Sequence, residues 1–300
     1  MPELPEVETI RRGLEKLIIG KAVAKITIFE KKSFIGDKKM LGNQKITALA
    51  RRGKALIIGF GGGVNLLVHL RMTGQLVYVG AKRWGGGHPT DDFLNDLPSK
   101  HTRVMVEFDD GSHLYFNDQR KFGFIKVLLD KEIENDSFIK RLGADALGED
   151  FGWQDLKRQL ATHQKSKIKA ALLDQTVVAG VGNIYADESL FFASVHPERL
   201  AGSLSDYEIE KIWRGVRETM RQSIKSGGSS LKNYVKADGK RGDYLDLFAK
   251  VFHKEGSNCP RCQTKIIKIK VCGRGTHLCP NCQKLVIDDK SRSGTRNGGV

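Results

Sequence analysis

Met1-Pro-Glu-Leu-Pro-Glu-Val-Glu-Thr-Ile-Arg-Arg-Gly-Leu14 begins the chain and sets the frame for everything after it. Val7, Ile10, Leu14 and Leu17 recur at 3-4-3 spacing, which predicts an amphipathic helix docked by one apolar stripe. Pro5 suits a first helical turn, where no N–H is needed, and acidic residues there favour the helix dipole. Glu3 and Glu6 lie three apart and share the N-terminal end. Removal of the initiator Met before a small residue would leave Pro2 as a free secondary amine. An α-amino group titrates at about pH 8, so a useful fraction is neutral and nucleophilic under physiological conditions. Such amines attack electrophilic carbon to give iminium intermediates. A docked helix can hold that nucleophile beside an acid, as a mobile tail could not.

The 300 residues are enough for two domains with real cores. A net charge of +15 points to a polyanionic partner. The excess is concentrated: residues 251–300 hold ten Lys/Arg against three Asp/Glu, which favours nucleic acid over a membrane surface. The acidic start lacks the apolar region of a secretory signal, and no stretch approaches a membrane span. Cys259-x2-Cys262 and Cys279-x2-Cys282 have metal spacing rather than that of a disulfide framework, which fits a reducing, cytoplasmic location.

Residues 20–130 read as β structure. The runs 54–60 and 64–70, joined by Gly61-Gly62-Gly63, form one hairpin signal; 103–108 and 112–116, around Asp109-Asp110-Gly111, form another. Several short strands of this kind suggest a sandwich or barrel. Residues 80–100, with Trp84-Gly85-Gly86-Gly87, Pro89 and Pro98, read as a long loop. From about 136 the pattern turns helical. Ser205-x-x-Glu208 is a capping box before the stripe Ile209, Ile212, Trp213, Val216, Met220, Ile224, closed by Gly227-Gly228. Another helix opens around Gly180-Val-Gly-Asn183 and runs through Leu190.

Two Cys-x2-Cys knuckles supply the four thiolates of a closed, structural Zn²⁺ site. Cys272 is left over and reads as a small buried residue. Between the knuckles, Lys265-Ile-Ile-Lys-Ile-Lys270 alternates like a β-ribbon whose turn presents Arg274, either as a phosphate contact or as an exposed turn residue. Gly180-Val-Gly-Asn183 offers backbone N–H groups to a phosphate, although Asn183 is equally an ordinary N-cap. Arg51-Arg-Gly-Lys54 is a solvated turn or a phosphate and proton-transfer site. Met72 and Phe122 are core residues by type, yet their basic neighbours also suit them to wedge into a base stack.

Taken together, MPELPEVETIRRGL, RRGK, HLRMTG, DQRKFG, VVAGVGNIYADESLF, HPERL, SIKSGGSSLKNY, GRGTH and the paired cysteines occur in an order that resembles formamidopyrimidine-DNA glycosylase, over residues 2 to about 283. The Pro-Glu-Leu-Pro-Glu start sets it apart from the endonuclease VIII branch, which typically begins Pro-Glu-Gly-Pro-Glu. The resemblance implies a multidomain α+β fold: an N-terminal helix and β-sandwich (1–135), a helix–two-turn–helix domain (136–250), a zinc ribbon (251–284) and a disordered basic tail (285–300). It implies a monomeric, cytoplasmic, nucleoid-associated base-excision-repair enzyme, a bifunctional DNA glycosylase and abasic-site lyase that acts on oxidised purines (8-oxoguanine, formamidopyrimidines) in double-stranded DNA, with one structural Zn²⁺ as its cofactor. Pro2 would attack C1′ of the flipped-out nucleotide, and Glu3 would serve as acid and base. Glu6 would hold the site together, and β,δ-elimination would follow from the Schiff base. Lys54 and Arg274 match residues that contact phosphate and assist elimination. His69, His101, Lys165 and Asn183 fall on DNA-contact positions. Met72, Arg120 and Phe122 fall on gap-filling positions, and 229–235 on the loop covering the lesion. The preference for 8-oxoguanine comes from the resemblance alone.

Where the family usually has Asp-Pro-Arg-Arg-Phe-Gly, this chain has Asp118-Gln-Arg-Lys-Phe-Gly123. Arg120 and Phe122 keep intercalation in place, while Lys121 loses bidentate phosphate geometry. Three rival readings are weaker. A silent DNA-binding protein has no need of Pro2, Glu3, Glu6 and Lys54 together. A pyrimidine or abasic-site preference is disfavoured by the N-terminal motif and GRGTH. A zinc-ribbon transcription or translation factor leaves residues 2–6 unexplained.

Overall fold

The computed structural model describes residues 1–88, 96–228 and 244–285. Helix α1 (Leu4–Ile18) follows Glu3 at the N-cap, with Pro5 in its first turn. Glu6 reaches back so that the Glu3 N–H donates to its Oε2 at 2.9 Å. Val7, Ile10, Leu14 and Ile18 are fully buried, each burial worth about 1.5–3 kcal/mol. Ile18 takes the deep position expected for Leu17, which packs only at the core's margin, because the stripe follows the true 3.6-residue turn.

Strands β1 (Val23–Ile28), β2 (Phe34–Ile35), β3 (Ile46–Arg52), β4 (Ala55–Phe60), β5 (Val64–His69), β6 (Gly74–Val79), β7 (Arg83–Gly87), β8 (Thr102–Phe108), β9 (His113–Asp118) and β10 (Phe124–Leu129) form two five-stranded sheets. Their orders are β1-β8-β9-β6-β7 and β2-β10-β5-β4-β3. Side chains from both sheets and from α1 share one apolar core, so the expected sandwich is present. Strand β7 corrects the reading of 80–100 as a loop. Glycines have poor strand propensity, but pairing with β6 and burial of Trp84 hold this one. The glycines also admit α1: a Cβ on Gly86 would lie 2.6 Å from Ile10 Cγ1.

Helices α2 (Asp130–Ile133), α3 (Trp153–Ala161), α4 (Ile168–Leu173), α5 (Asn183–Ala193) and α6 (Asp206–Lys225) follow. Ser205 and Glu208 cap α6 reciprocally, and Gly227 and Gly228, at φ 82° and 93°, end it. A second apolar core lies among these helices and takes in Leu4. The N-terminus therefore sits on the seam between two cores, its first helix shared by both. Strands β11 (Ile267–Val271) and β12 (Arg274–Leu278) make the expected ribbon. Cys272 in its turn is exposed at φ 46°, not buried, because a two-residue hairpin turn points its side chains to solvent. Among the described residues, no helix is long and apolar enough to cross a membrane.

Candidate active site

The α-amino group of Met1 lies in the field of Glu3, Glu6 and Lys54, and burial lowers its pKa. Pro2 is buried beside it. The Glu3 carboxylate accepts the Ile184 N–H, from the first turn of α5, at 3.0 Å, while its Oε2 is buried with no hydrogen-bond partner. Burial raises its pKa from 4.5 to about 7, against the opposing pull of Lys54 and with help from Glu6. A carboxyl group at this value is a proton donor and acceptor near neutrality.

Gly180-Val-Gly182 is built for this approach. Leu4 N–H donates to Gly180 O at 3.1 Å, and a Cβ on Gly182 would meet the Glu3 carboxyl carbon at 2.2 Å. Within the motif the Gly180 N–H donates to Gln175 Oε1 at 3.0 Å, and the N–H that reaches the internal Glu3 carboxylate comes from Ile184, one residue beyond it. Asn183 is the first helical residue rather than the N-cap, which is Gly182. Its Nδ2 donates to Gly275 O at 3.0 Å, leaving Oδ1 buried and unpaired.

Lys54 is almost wholly buried, its Nζ donating to Val181 O at 2.7 Å. Burial lowers its pKa to about 8, opposed by Glu3 and Glu6 and reinforced by Arg274. The turn that carries it is bracketed. Asp145 Oδ2 accepts the Gly53 N–H at 3.0 Å, and Arg51 binds Asp145 at 2.5 Å and the Gly53 carbonyl at 3.0 Å. Arg51 is therefore an internal clamp rather than a solvated turn residue.

Arg274 is exposed at the start of β12, and what lies behind it is rigid. Lys169 Nζ, fully buried, donates to Asp187 Oδ1 (2.5 Å), Thr276 Oγ1 (2.7 Å) and Gly275 O (3.2 Å), and Asp187 Oδ2 accepts the His277 N–H at 2.9 Å. This buried ion pair has its hydrogen bonds filled, the condition under which one is tolerated.

Met72 and Phe122 project from neighbouring loops at 38% and 56% exposure, which rejects the core reading for both. Each follows a residue in the left-handed region, Arg71 at φ 51° and Lys121 at φ 59°. Asp118, fully buried, ties the loops together. It binds Thr73 Oγ1 and accepts the N–H groups of Arg120 (3.2 Å) and Gly123 (2.7 Å). The Arg120 guanidinium lies over the Phe122 ring at 4.8 Å, and Lys121 pairs with Glu30 at 2.7 Å. His69 opens this row. Burial, with Arg71 and Lys54, drops its pKa to about 3, and its Nδ1 accepts the Arg71 N–H at 3.0 Å, so the neutral ring carries its proton on Nε2 as a donor. His101 is half-buried, its carbonyl accepting the Asp118 N–H at 2.9 Å. Lys165 stands exposed in the turn between α3 and α4. The stretch 229–235 lies outside the described residues.

Zinc–thiolate bonds of about 2.3 Å place tetrahedral sulfurs about 3.8 Å apart. Cys259 and Cys282 lie 3.8 Å apart and Cys262 and Cys279 3.4 Å, with all four sulfurs within 4.8 Å of one another, so the residues fit the ion.

Asp118, Asp145, Arg51, Lys169 and Asp187 were not singled out for these contacts in the sequence. Asp118, Arg51 and Asp187 lie in motifs quoted above, yet only the spacing around Asp118, beside the N–H groups it accepts, could have pointed to its role.

The model of the formamidopyrimidine-DNA glycosylase N-terminal domain matches residues 1–125, that of its H2TH domain 142–235, and that of the zinc finger found in FPG and IleRS 256–285. The formamidopyrimidine-DNA glycosylase of Pelotomaculum thermopropionicum is 38% identical over 95% of this chain and all of its own. That of Listeria innocua is 40% identical over 95% of this chain and 100% of its own. Among solved structures, a Lactococcus lactis FPG mutant in complex with Fapy-dG DNA superposes with a TM-score of 0.83 at 35% identity, covering 95% of this chain and 100% of that one. The Lactococcus lactis Fpg with abasic-site DNA gives 0.83 at 35%, covering 94% and 100%. With three family models in order along it and relatives matched over nearly its whole length, the chain belongs to the formamidopyrimidine-DNA glycosylase family.

Proposed function

We propose that this base-excision-repair enzyme uses Pro2, freed by removal of Met1, to attack C1′ of a flipped-out nucleotide. The protein is a bifunctional DNA glycosylase and abasic-site lyase that removes oxidised purines, 8-oxoguanine and formamidopyrimidines, from duplex DNA. The observation that carries the residue assignments is the Glu3 carboxyl. It is buried beside the N-terminal amine with one oxygen unpaired and a pKa of about 7, so it can donate a proton as the sugar ring opens and the base departs. The resulting iminium acidifies the adjacent sugar carbon, and successive β- and δ-elimination expel the two flanking phosphates. Glu6 holds the Pro2–Glu3 peptide through the Glu3 N–H. Lys54, whose pKa the Arg274 charge helps to lower, and Arg274 contact the phosphates that leave. His69, His101, Lys165 and Asn183 bind the backbone. Met72, Arg120 and Phe122 fill the gap left by the extruded base, with Lys121 beside them. Cys259, Cys262, Cys279 and Cys282 hold a structural zinc that keeps the ribbon folded. The enzyme acts as a monomer on cytoplasmic DNA.

Borohydride trapping on duplex DNA carrying one 8-oxoguanine opposite cytosine tests the assignment. A covalent adduct mapped to Pro2, with 3′- and 5′-phosphate ends in the unreduced reaction, is the expected result. An adduct on another residue, or none from protein with a verified free Pro2, overturns it.

A further inference from the structure

Tyr185 is a fully buried side chain of α5 whose hydroxyl has no part in the chemistry above. That hydroxyl donates to Glu6 Oε1 at 2.7 Å and lies 2.6 Å from Ser223 Oγ. A phenol carries one proton, and a carboxylate can only accept, so Ser223 donates to Tyr185 and Tyr185 to Glu6. Burial, with Glu6 and Glu3 beside it, holds the Tyr185 pKa well above its ordinary value, so the donor persists. The other Glu6 oxygen takes the Glu3 N–H at 2.9 Å, and that N–H belongs to the Pro2–Glu3 peptide. The chain thus runs from Ser223 on α6, through α5, into α1 and ends one bond from the nucleophilic residue. Ser223 is itself fixed: it is fully buried, and its carbonyl accepts the Gly228 N–H at 2.8 Å. The Tyr185 ring packs against Tyr244 at 5.7 Å.

We propose that Tyr185 and Ser223 are positioning residues for base excision, fixing the Glu6 carboxylate and through it the Pro2–Glu3 peptide against the helical domain. The proposal rests on the assignment of Pro2 as nucleophile. Glu6 alone could swing on its side-chain torsions. Two hydrogen bonds on different oxygens remove that freedom, and attack at C1′ tolerates little misplacement.

The experiment uses the full-length, zinc-loaded, Met-processed enzyme with Tyr185→Phe, Ser223→Ala and the double variant, under single-turnover conditions on 8-oxoguanine duplex. Tyr185→Phe keeps the ring and removes the donor to a charged acceptor, so excision slows roughly 10- to 100-fold. Ser223→Ala removes a neutral hydrogen bond and slows it about 3- to 5-fold. The double variant falls within about twofold of Tyr185→Phe, since the serine acts only through the tyrosine. The Kd for duplex with a stable abasic-site analogue stays unchanged throughout, so the loss falls on the chemical rate constant and not on KM, which a merely structural defect would not select. Excision by Tyr185→Phe at the wild-type rate overturns the proposal, as does a loss confined to KM or a multiplicative double variant. Should Tyr185→Phe fail to fold, an unaltered rate in Ser223→Ala overturns it. Absence of a Pro2 adduct in the wild type would defeat the underlying assignment instead. A wild-type Pro2 adduct that Tyr185→Phe forms just as fast defeats only the positioning role.

Discussion

Gly182→Ala is the sharpest probe of the site, because it adds one methyl group at a place where the backbone itself does not object. Gly182 has φ −129° and ψ −161°, extended values open to alanine, so no conformational strain enters. The added Cβ would stand 2.2 Å from Glu3 Cδ, 2.5 Å from Oε1 and 2.6 Å from Cγ. Ordinary contact begins at 3.4 Å, so the carboxyl or the loop must retreat by the 1.2 Å between 2.2 and 3.4. That retreat breaks the 3.0 Å bond from the Ile184 N–H and moves the proposed acid out of line. Misplacement by about 1 Å can cost about 100-fold in rate. Overpacking a tight site costs about 1–3 kcal/mol in stability. Excision of 8-oxoguanine under single-turnover conditions should therefore fall about 100-fold, with duplex affinity retained and the urea midpoint lowered by the overpacking. A variant that excises within threefold of wild type would refute the role of the Glu3 position and the fit of this loop.

Pro2→Gly should abolish strand cleavage while damaged-duplex binding, read by fluorescence anisotropy, is largely kept; undiminished cleavage would remove Pro2 from the reaction. Cys279→Ser should release zinc, unfold the ribbon and weaken DNA binding, and a zinc-free variant of full activity would contradict the structural role of the metal. The folded-state pKa of Glu3 is raised from 4.5 to about 7, so its contribution to stability is fully present below 4.5 and lost as pH rises through about 7. The stability of wild type relative to Glu3→Gln should accordingly decline by roughly 3 kcal/mol across that window, measured by urea unfolding; a difference constant with pH would reject the raised value. Asp118→Ala leaves the Arg120 and Gly123 N–H groups without their acceptor and should cost about 3 kcal/mol, together with weakened discrimination of the base opposite the lesion; an unfolding midpoint like that of wild type would show that the wedge loops do not depend on it.

Local physics was legible in the sequence wherever a signal and its partner lie close together. The capping box at Ser205 and Glu208, the hairpin glycines at 61–63 and the paired cysteines each state their structure within a few residues. Strand β7 escaped notice because three glycines carry no strand signal of their own and depend on β6 and α1. The sheet orders were equally hidden, since β1 pairs with β8 across some 80 residues of chain. Pro2, Glu3, Glu6 and Lys54 could be picked out from chemistry, yet the groups that hold them could not. Glu6 meets Tyr185 at a separation of 179 residues, and Gly53 meets Asp145 at 92. Nothing in an Asp or a Tyr read alone foretells such a partner. Cys272 was misjudged because cysteine is usually buried, whereas a hairpin tip leaves nowhere to bury it.

Helix α5 explains why so much of the site depends on so short a stretch. Over eleven residues, about 16 Å, its Ile184 N–H holds Glu3, Tyr185 holds Glu6, Asp187 holds Lys169 and the ribbon, and Glu188 accepts the N–H groups of Lys250, Val251 and Phe252. At its far end Arg261, from the first zinc knuckle, donates to the carbonyls of Phe191 (2.7 Å) and Phe192 (3.1 Å), which lie in the last turn and have no i+4 partner within the helix; the Phe191 carbonyl also takes the Ser194 N–H at 3.0 Å. A buried helix should be apolar all round. Helix α5, buried except at Asn183 and Phe192, departs from that at Asn183, Tyr185, Asp187 and Glu188, each with a partner in another element, and at Ser189, which donates to Ala186 O within the helix. These contacts make it the common reference for Glu3, the ribbon and the metal site. Moving the ribbon therefore disturbs Asn183 and Asp187 at the same helix that positions Glu3, which places the zinc, though distant from the chemistry, within one rigid element of it.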